Sequence, residues 1–423
     1  MRLPSAQLAP LRLEGFRNLF FATLGSSVGT LLAAIALAID VHDRTGSGLW
    51  VGAVLVVEFL PTIVVGLVFG PLLDRLERRS LMIGADAIRV GVFVALPFAP
   101  SAATVVGLAL VAGLATGFFR PAVYAGIPNL VPDAELPRAN ALLQTVENAS
   151  WAVGPLVGGV LTAADGPKVA YAINAASFVV SIALLVRIPP RLLQSERALS
   201  RGYWRDLRDG FGAALRSPSM RAVLVAWGIA SFAVGASNVA TVFIAKNTFS
   251  GGNVGYGLVY GATGAGLVLG AFASASALAH YSVGRVYGEA LLLMALGSLT
   301  VAVSPDVWVA ALCAVVLGIG NGAAVACNAL LVQRGTFDLL RGRALTFVMS
   351  VTYLFVGLGL GLGGVFLRKP VEVNTPRWIW AGSGAVLLVA ALAGAVLARN
   401  LGSETAAEAE VAPAERSPVA AAN

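Results

Sequence analysis

Apolar runs separated by short polar breaks fill most of the chain, and each is long enough to cross roughly 30 Å of hydrocarbon as a helix. Six lie near residues 18–40, 50–73, 80–99, 103–125, 139–163 and 168–188. After a polar, Arg-rich interval six more follow, near 221–245, 254–279, 286–304, 306–329, 344–367 and 377–398. The pattern predicts an all-α integral membrane protein of twelve spanning helices in two sets of six. The ten-residue alternation of a porin strand is not seen, so helices are the expected spanning element. The expected divisions are a leading segment 1–17, a first half 18–188, a linker 189–220, a second half 221–399 and a tail 400–423. Within the linker, RDLRDGFGAALRSPSMR reads as an amphipathic stretch at the lipid headgroups, its Arg side chains meeting anionic lipid. The tail is rich in Ala, Glu and Pro, a composition that predicts disorder.

Composition strengthens the membrane reading. Of 423 residues 57% are apolar and 12% charged, against about 25% charged in a soluble domain. The 48 glycines suit helices packed closely through small faces. The net charge of +7 comes from Arg confined to loops rather than from a basic face on a soluble fold, so no nucleic-acid partner is expected. Twenty-two of the 29 Lys and Arg residues fall on the side of the two chain ends and six on the other, while Arg89 lies within a helix. This bias predicts a multi-pass protein of the cell (inner) membrane with both termini cytoplasmic. The first run lacks a clear cleavage site and reads as a retained helix.

Few residues point to chemistry of other kinds. Cys313 and Cys327 lie in one run, about 21 Å apart at helical rise, too far to bridge. His42 and His280 are too few and too separated for a metal site. Gly25 to Gly29 fits GxSxG and Gly359 to Gly364 fits GxGxxG, yet both sit inside apolar helices with no preceding strand. No lysine lies in a phosphate-binding Gly-Lys-Ser/Thr sequence. The chain is therefore expected not to be an enzyme, and neither cofactor nor metal is expected. Nothing in it signals an oligomeric state.

Two motifs and a repeat carry more. Residues 70–79, GPLLDRLERR, place five charges in a short connection between apolar runs, and the order Gly70, Asp74-Arg75, Arg78-Arg79 exceeds what a solvated turn requires. This resembles the cytoplasmic signature between the second and third helices of the major facilitator superfamily, with Glu77 where that pattern prefers Gly. The fifth span holds Gly154-Pro155-Leu156-Val157-Gly158-Gly159. Pro removes a helix donor and Gly removes bulk, so the span can bend there while a neighbour packs on its backbone. A packing kink accounts for these residues equally well, and the same GPxxGG resembles the fifth-helix motif of facilitator-superfamily antiporters. Shifting the chain by 205 residues lays Arg138-Ala139 on Arg343-Ala344, Gly154 on Gly359, and Gly158-Gly159-Val160 on Gly363-Gly364-Val365. Two parallel six-helix repeats place a substrate site between the halves.

The resemblance narrows with Ser47, Phe59-Leu60-Pro61, the Asp86/Arg89 pair, Phe118-Phe119-Arg120-Pro121-Ala122 and Ala139-Asn140-Ala141-Leu142, which are similar to the branch of enterobactin-type siderophore exporters and macrolide efflux proteins. Ala109 stands where many proton-coupled members carry an Arg. The resemblance implies that spans one, four, seven and ten line the path. It also implies a gate latch in which Asp74 faces the start of span eleven near Arg343, with Arg78 pairing to Asp133 or Glu135.

Charges inside the hydrocarbon cost at least about 2.5 kcal/mol each at the bilayer centre, so those retained are candidates for function. Glu58 has no obvious local partner and is the first candidate for proton binding. Glu147, Asp86, Arg89 and Arg120 are expected to form a buried charge network in the first half, as an ion-pair structure or as part of coupling. Asn238 and Asn321 are candidates for contact with substrate. The expected function is a secondary transporter that exports a small amphipathic molecule, drug-like or siderophore, by alternating access driven by an inward proton flux. An uptake facilitator for a polar solute and a non-transporting scaffold or sensor remain open from the sequence.

Overall fold

A computed structural model describes residues 8–73, 76–193, 217–334, 341–368 and 371–398. Among these residues there is no strand, and twelve long helices account for nearly all of them. In the first half they are α1 Glu14–Thr45, α2 Gly48–Leu73, α3 Arg78–Ala95, α4 Ala102–Gly126, α5 Leu136–Asp165 and α6 Pro167–Val186. In the second they are α7 Pro218–Thr248, α8 Gly252–Leu278, α9 Val283–Val303, α10 Val307–Arg334, α11 Arg341–Phe366 and α12 Thr375–Leu397. Ten of the twelve are long and apolar enough, among the described residues, to cross a membrane. The described apolar part of α2 is Gly48–Glu58. In α5 the first turns carry Asn140, Gln144, Glu147 and Asn148. The linker beyond Leu193 and the tail lie outside the described residues.

Turns between helices follow from local chemistry. Gly46 caps α1 at φ 56°, and Gly166 joins α5 to α6 at φ 77°, both left-handed values that cost a side chain energy. Asp306 accepts hydrogen bonds from the amides of Trp308 and Val309 at 2.8 and 3.0 Å, satisfying the open end of α10. α1 runs some five residues beyond the apolar stretch that predicts it, through Asp40 to Thr45. Polar partners make that extension possible: Asp40 receives Arg44 Nε at 2.7 Å and the Tyr171 hydroxyl at 3.0 Å, and Arg44 Nη1 donates to the Ala99 carbonyl at 2.9 Å. The α7 helix contains two π-helical turns, Val223–Trp227 and Ile244–Thr248.

The principal helix pairs repeat between the halves. α1 packs on α5 and α6, α2 on α4, and α3 on α4 and α6. In the second half α7 packs on α11 and α12, α8 on α10, and α9 on α10 and α12. The halves meet where α5 packs on α8 and α2 on α11. Adding six to the helix number exchanges these two seams, as a twofold pseudo-repeat requires. Large apolar side chains such as Phe272, Leu312 and Trp378 point outward, 70–74% exposed, which suits a lipid environment and not water.

The cores differ between the two ends. The face holding Arg78, Arg79, Arg138, Arg187, Arg191, Arg221 and Arg334 is called here the basic face. Towards the opposite face one hydrophobic core joins both halves, with Ile39, Val51 and Val54 packed among Val242, Phe243 and Leu360. Towards the basic face the core divides: Phe16, Met82, Phe119 and Leu185 form one cluster, and Met220, Tyr287, Leu331 and Leu387 another. Among the described residues the halves therefore share one core towards the opposite face and keep separate cores towards the basic face.

Candidate functional site

Between the halves lies a cavity in two lobes. Trp151, Tyr260 and Tyr353 belong to the walls of both, so the lobes adjoin. The first lobe is built mainly by α1, α4 and α5, with Ser26, Thr30, Thr116 and Ser150 among apolar neighbours. The second lobe is built by α7, α8, α10 and α11, and includes both Asn238 and Asn321. Helices α1, α4, α7 and α10 thus line the space as the resemblance implies, joined by α5, α8 and α11.

Four charged side chains line the first lobe: Glu58, Arg89, Arg120 and Glu147. The expected network resolves into two separate pairs. Arg120 Nη2 donates to Glu147 Oε2 at 2.7 Å. Arg89 pairs with Asp86, both essentially without exposure, and its guanidinium lies between the rings of Phe119 and Phe178, 4.4 and 4.3 Å from their centroids. Its Nη1 also reaches Ser26 Oγ at 3.4 Å. Such a slot suits a planar, weakly hydrated cation better than an ammonium. Glu58 takes part in no hydrogen bond or ion pair among the described residues, and it faces the lobe together with Tyr256 and Tyr260. Ala109 also lines this lobe and places no charge there.

The glycines of α5 divide their work between two neighbours. A Cβ on Gly154 would stand 2.7 Å from Leu31 Cβ, and one on Gly158 2.5 Å from the Leu32 carbonyl oxygen, so both positions press α5 onto α1 within the first half. Gly159 faces the other way: its Cβ would stand 2.8 Å from the Asn253 carbonyl oxygen and from Gly257 Cα, in α8 of the second half. The residues 205 further on do the same. Gly359 and Gly363 close α11 onto α7 at Phe232 and Ala236, and a Cβ on Gly364 would lie 2.8 Å from the Gly48 carbonyl oxygen of α2. Real side chains almost never approach so closely, so backbone contact here requires glycine.

A family model for transmembrane secretion effectors matches residues 5–420. The chain belongs to this family of major facilitator transporters. It is a multi-pass membrane transporter and not an enzyme. Macrolide efflux protein A of Streptococcus pyogenes is 23% identical over 380 residues, covering 86% of this chain and 92% of that protein. Multidrug efflux pump Tap of Mycobacterium tuberculosis is 26% identical over 360 residues, covering 82% and 85%. Among solved structures, a bacterial homologue of the iron transporter ferroportin in an inward-facing state superposes with a TM-score of 0.73 at 14% identity, over 92% of this chain and 98% of that one. At that identity the likeness speaks for the fold alone.

Within this facilitator fold the gate motif is only partly described. Gly70 lies in the last turns of α2, while Asp74 and Arg75, like the Arg343 side chain, lie outside the described residues. Arg78 and Arg79 begin α3. Arg79 donates to the Leu185 and Val186 carbonyls at 3.2 and 2.6 Å, capping the last turn of α6. Glu135 pairs with Arg138 at 2.7 Å and not with Arg78. At the opposite face a second tie joins the halves: Lys246 of α7 pairs with Asp43 of α1, beside His42 packed edge-on against Phe243 with centroids 4.7 Å apart. Sequence reasoning missed both this tie and the aromatic wall of Trp151, Tyr256, Tyr260 and Tyr353. The spacing of Tyr256 and Tyr260, one turn apart on a Gly-rich helix, is the signal that was available.

Charge reversal tests the Asp43 tie. Asp43→Lys sets two cations against each other and is expected to slow transport about fivefold, the scale of roughly 1 kcal/mol for a partly exposed pair. Adding Lys246→Asp restores opposite charges and the rate. Transport assays in membrane vesicles with the two single and the double variants measure it, and equal rates in all three remove the tie from the cycle.

Proposed function

We propose that this transporter exports an amphipathic, drug-like molecule, taken into the two-lobed cavity from the cytoplasm and released at the opposite face as the halves rock, with protons entering in exchange. One observation carries the reading: a mainly apolar cavity with a few polar groups, bounded towards one face by a core shared between the halves and, among the described residues, by separate cores towards the basic face. The excess of Arg on the basic face supports a cytoplasmic location for it and for both chain ends. The efflux activities named for the relatives from Streptococcus and Mycobacterium support export and drug-like cargo.

Proton coupling is assigned to Glu58, which faces the cavity without an ion-pair partner, whereas Glu147 is already neutralised by Arg120. Asp74 is assigned to a latch with the start of α11 near Arg343 that closes the basic face when the opposite face opens. In proteoliposomes with an imposed proton gradient, a macrolide is expected to move in the direction opposite to the protons and to drive a proton flux the other way. Glu58→Gln is expected to abolish the substrate-dependent proton movement, and Glu147→Gln to weaken it. Proton movement that persists in both variants would sink the coupling assignment. A siderophore moved in place of the macrolide would change the cargo and keep the direction.

A further inference from the structure

We propose that the second lobe contains a subsite for uncharged groups that accept hydrogen bonds, such as ketone, ester or lactone carbonyls, formed by Asn238 of α7, Asn321 of α10 and Trp380 of α12. The proposal rests on the export reading for its biological meaning and on this lobe alone for its chemistry. No charged side chain lines the second lobe, whereas Glu58, Arg89, Arg120 and Glu147 line the first. An ionised group entering the second lobe would give up its hydration and meet no counter-ion, so the space favours neutral chemistry. Its polar side chains then decide which neutral groups are held.

The aliphatic hydroxyls of the lobe are already committed as donors. Ser237 donates to the Val234 carbonyl at 3.0 Å, Thr241 to the Ser237 carbonyl at 2.7 Å and Thr263 to the Val259 carbonyl at 3.0 Å, each within its own helix. The nitrogen donors are not. Asn238 and Asn321 line the lobe and take part in no hydrogen bond among the described residues. A carboxamide offers two N–H donors beside one carbonyl oxygen. Trp380 is 3% exposed, lines the same lobe, and its indole N–H has no hydrogen-bond partner. An indole donates and does not accept, so the three side chains together are rich in donors. A buried donor without a partner is costly, and a carbonyl oxygen brought by a ligand removes that cost. The position of Trp380 is held from behind: the Ser298 hydroxyl of α9 donates to the Trp380 carbonyl at 2.9 Å, fixing this turn of α12 beside the lobe. Val234, Val259 and Leu317 supply the apolar surface around the donors.

The test uses the full chain in lipid nanodiscs and two uncharged probes of one skeleton: androstanedione, which carries carbonyl acceptors, and androstane, which carries none. Uptake by protein-free nanodiscs is subtracted from each. The wild-type protein is expected to bind the dione at least about tenfold more tightly than the hydrocarbon. Asn238→Leu and Asn321→Leu keep a branched side chain without its donors. Each is expected to lower dione affinity about fivefold while leaving androstane within about twofold. Trp380→Phe keeps a ring, removes the N–H, and is expected to lower dione affinity about threefold. Equal affinity for the two probes in the wild type overturns the proposal without any variant. Equal loss of both probes in the variants overturns it too, since that marks a change of shape or fold. Dione binding that depends on Asn238 and Asn321 in a protein that moves no macrolide would refute the export reading and leave the subsite standing; macrolide export with no preference between the two probes would do the reverse.

Discussion

Gly257→Val is expected to abolish transport while leaving the protein inserted and folded. The reason is the seam between α5 and α8. A Cβ at Gly257 would stand 2.6 Å from the Pro155 carbonyl oxygen and 2.8 Å from Gly159 Cα, backbone atoms that cannot rotate away. Valine adds two further methyl groups at that point, and overpacking of this kind costs about 3 kcal/mol, more than a hundredfold in a two-state population. The seam joins the two halves and is not internal to either, so each half keeps its own packing. The population shifts to the state in which the opposite face is parted. Labelling of Ala245→Cys, a position fully buried in the core shared by the two halves, by a membrane-impermeant maleimide should therefore rise in the Gly257→Val background as transport falls. Gly158→Val makes the contrast, because its obstruction is Leu32 of the same half. It is expected to lower the yield of folded protein instead. At Gly361 an added Cβ meets nothing within 4 Å, and Gly361→Val should transport normally. A Gly257→Val protein with wild-type transport would show that the close seam is not part of the cycle.

Removing one member of the Asp86–Arg89 pair is expected to have the largest effect on stability. Asp86 is 0% exposed and Arg89 2%. Arg89→Leu leaves a carboxylate buried with no counter-ion, a loss of about 3–5 kcal/mol for a buried pair. It also empties the slot between Phe119 and Phe178. The single variant should accumulate poorly and melt early in detergent, as followed by fluorescence-detected size exclusion on heating. Asp86→Leu combined with Arg89→Leu removes both charges and should recover most of the folded yield, because a buried ion pair and a well-packed apolar pair are often of similar stability. Arg89→Lys keeps the charge but not the planar group that fits between two rings, and should fall between the two. A fully stable Arg89→Leu protein would mean that Asp86 finds another partner or a proton at little cost.

Several features were legible from residues in order. The twelve spans follow from run length against bilayer thickness, which no other part of the structure can alter. The 205-residue repeat was legible because a backbone contact between helices tolerates only glycine, so Gly154, Gly158 and Gly159 recur as Gly359, Gly363 and Gly364 where other identities have drifted. Glu58, Arg89, Arg120 and Glu147 stood out because charge in hydrocarbon is expensive enough to be kept only for a reason. The polar end of α1 was not legible, since Asp40 and Arg44 remain helical only because Tyr171 and the Ala99 carbonyl answer them from elsewhere in the chain.

Span number, the twofold repeat, the bias of Arg to one face and the list of intramembrane charges were determined by the sequence alone, because each depends on composition along a line. Which charges neutralise one another was decided by the tertiary structure. Arg89 takes Asp86 on its own helix and Arg120 takes Glu147 from 27 residues away, and these choices leave Glu58 facing the cavity. The same holds for the glycines of α5: Gly158 and Gly159 are adjacent in the chain, yet a 100° turn of the helix sends one to α1 and the other across the seam to α8. The aromatic wall of Trp151, Tyr256, Tyr260 and Tyr353 likewise exists only when α5, α8 and α11 converge, for an aromatic residue in an apolar run gives no sign of whether it faces lipid, a neighbour or a cavity.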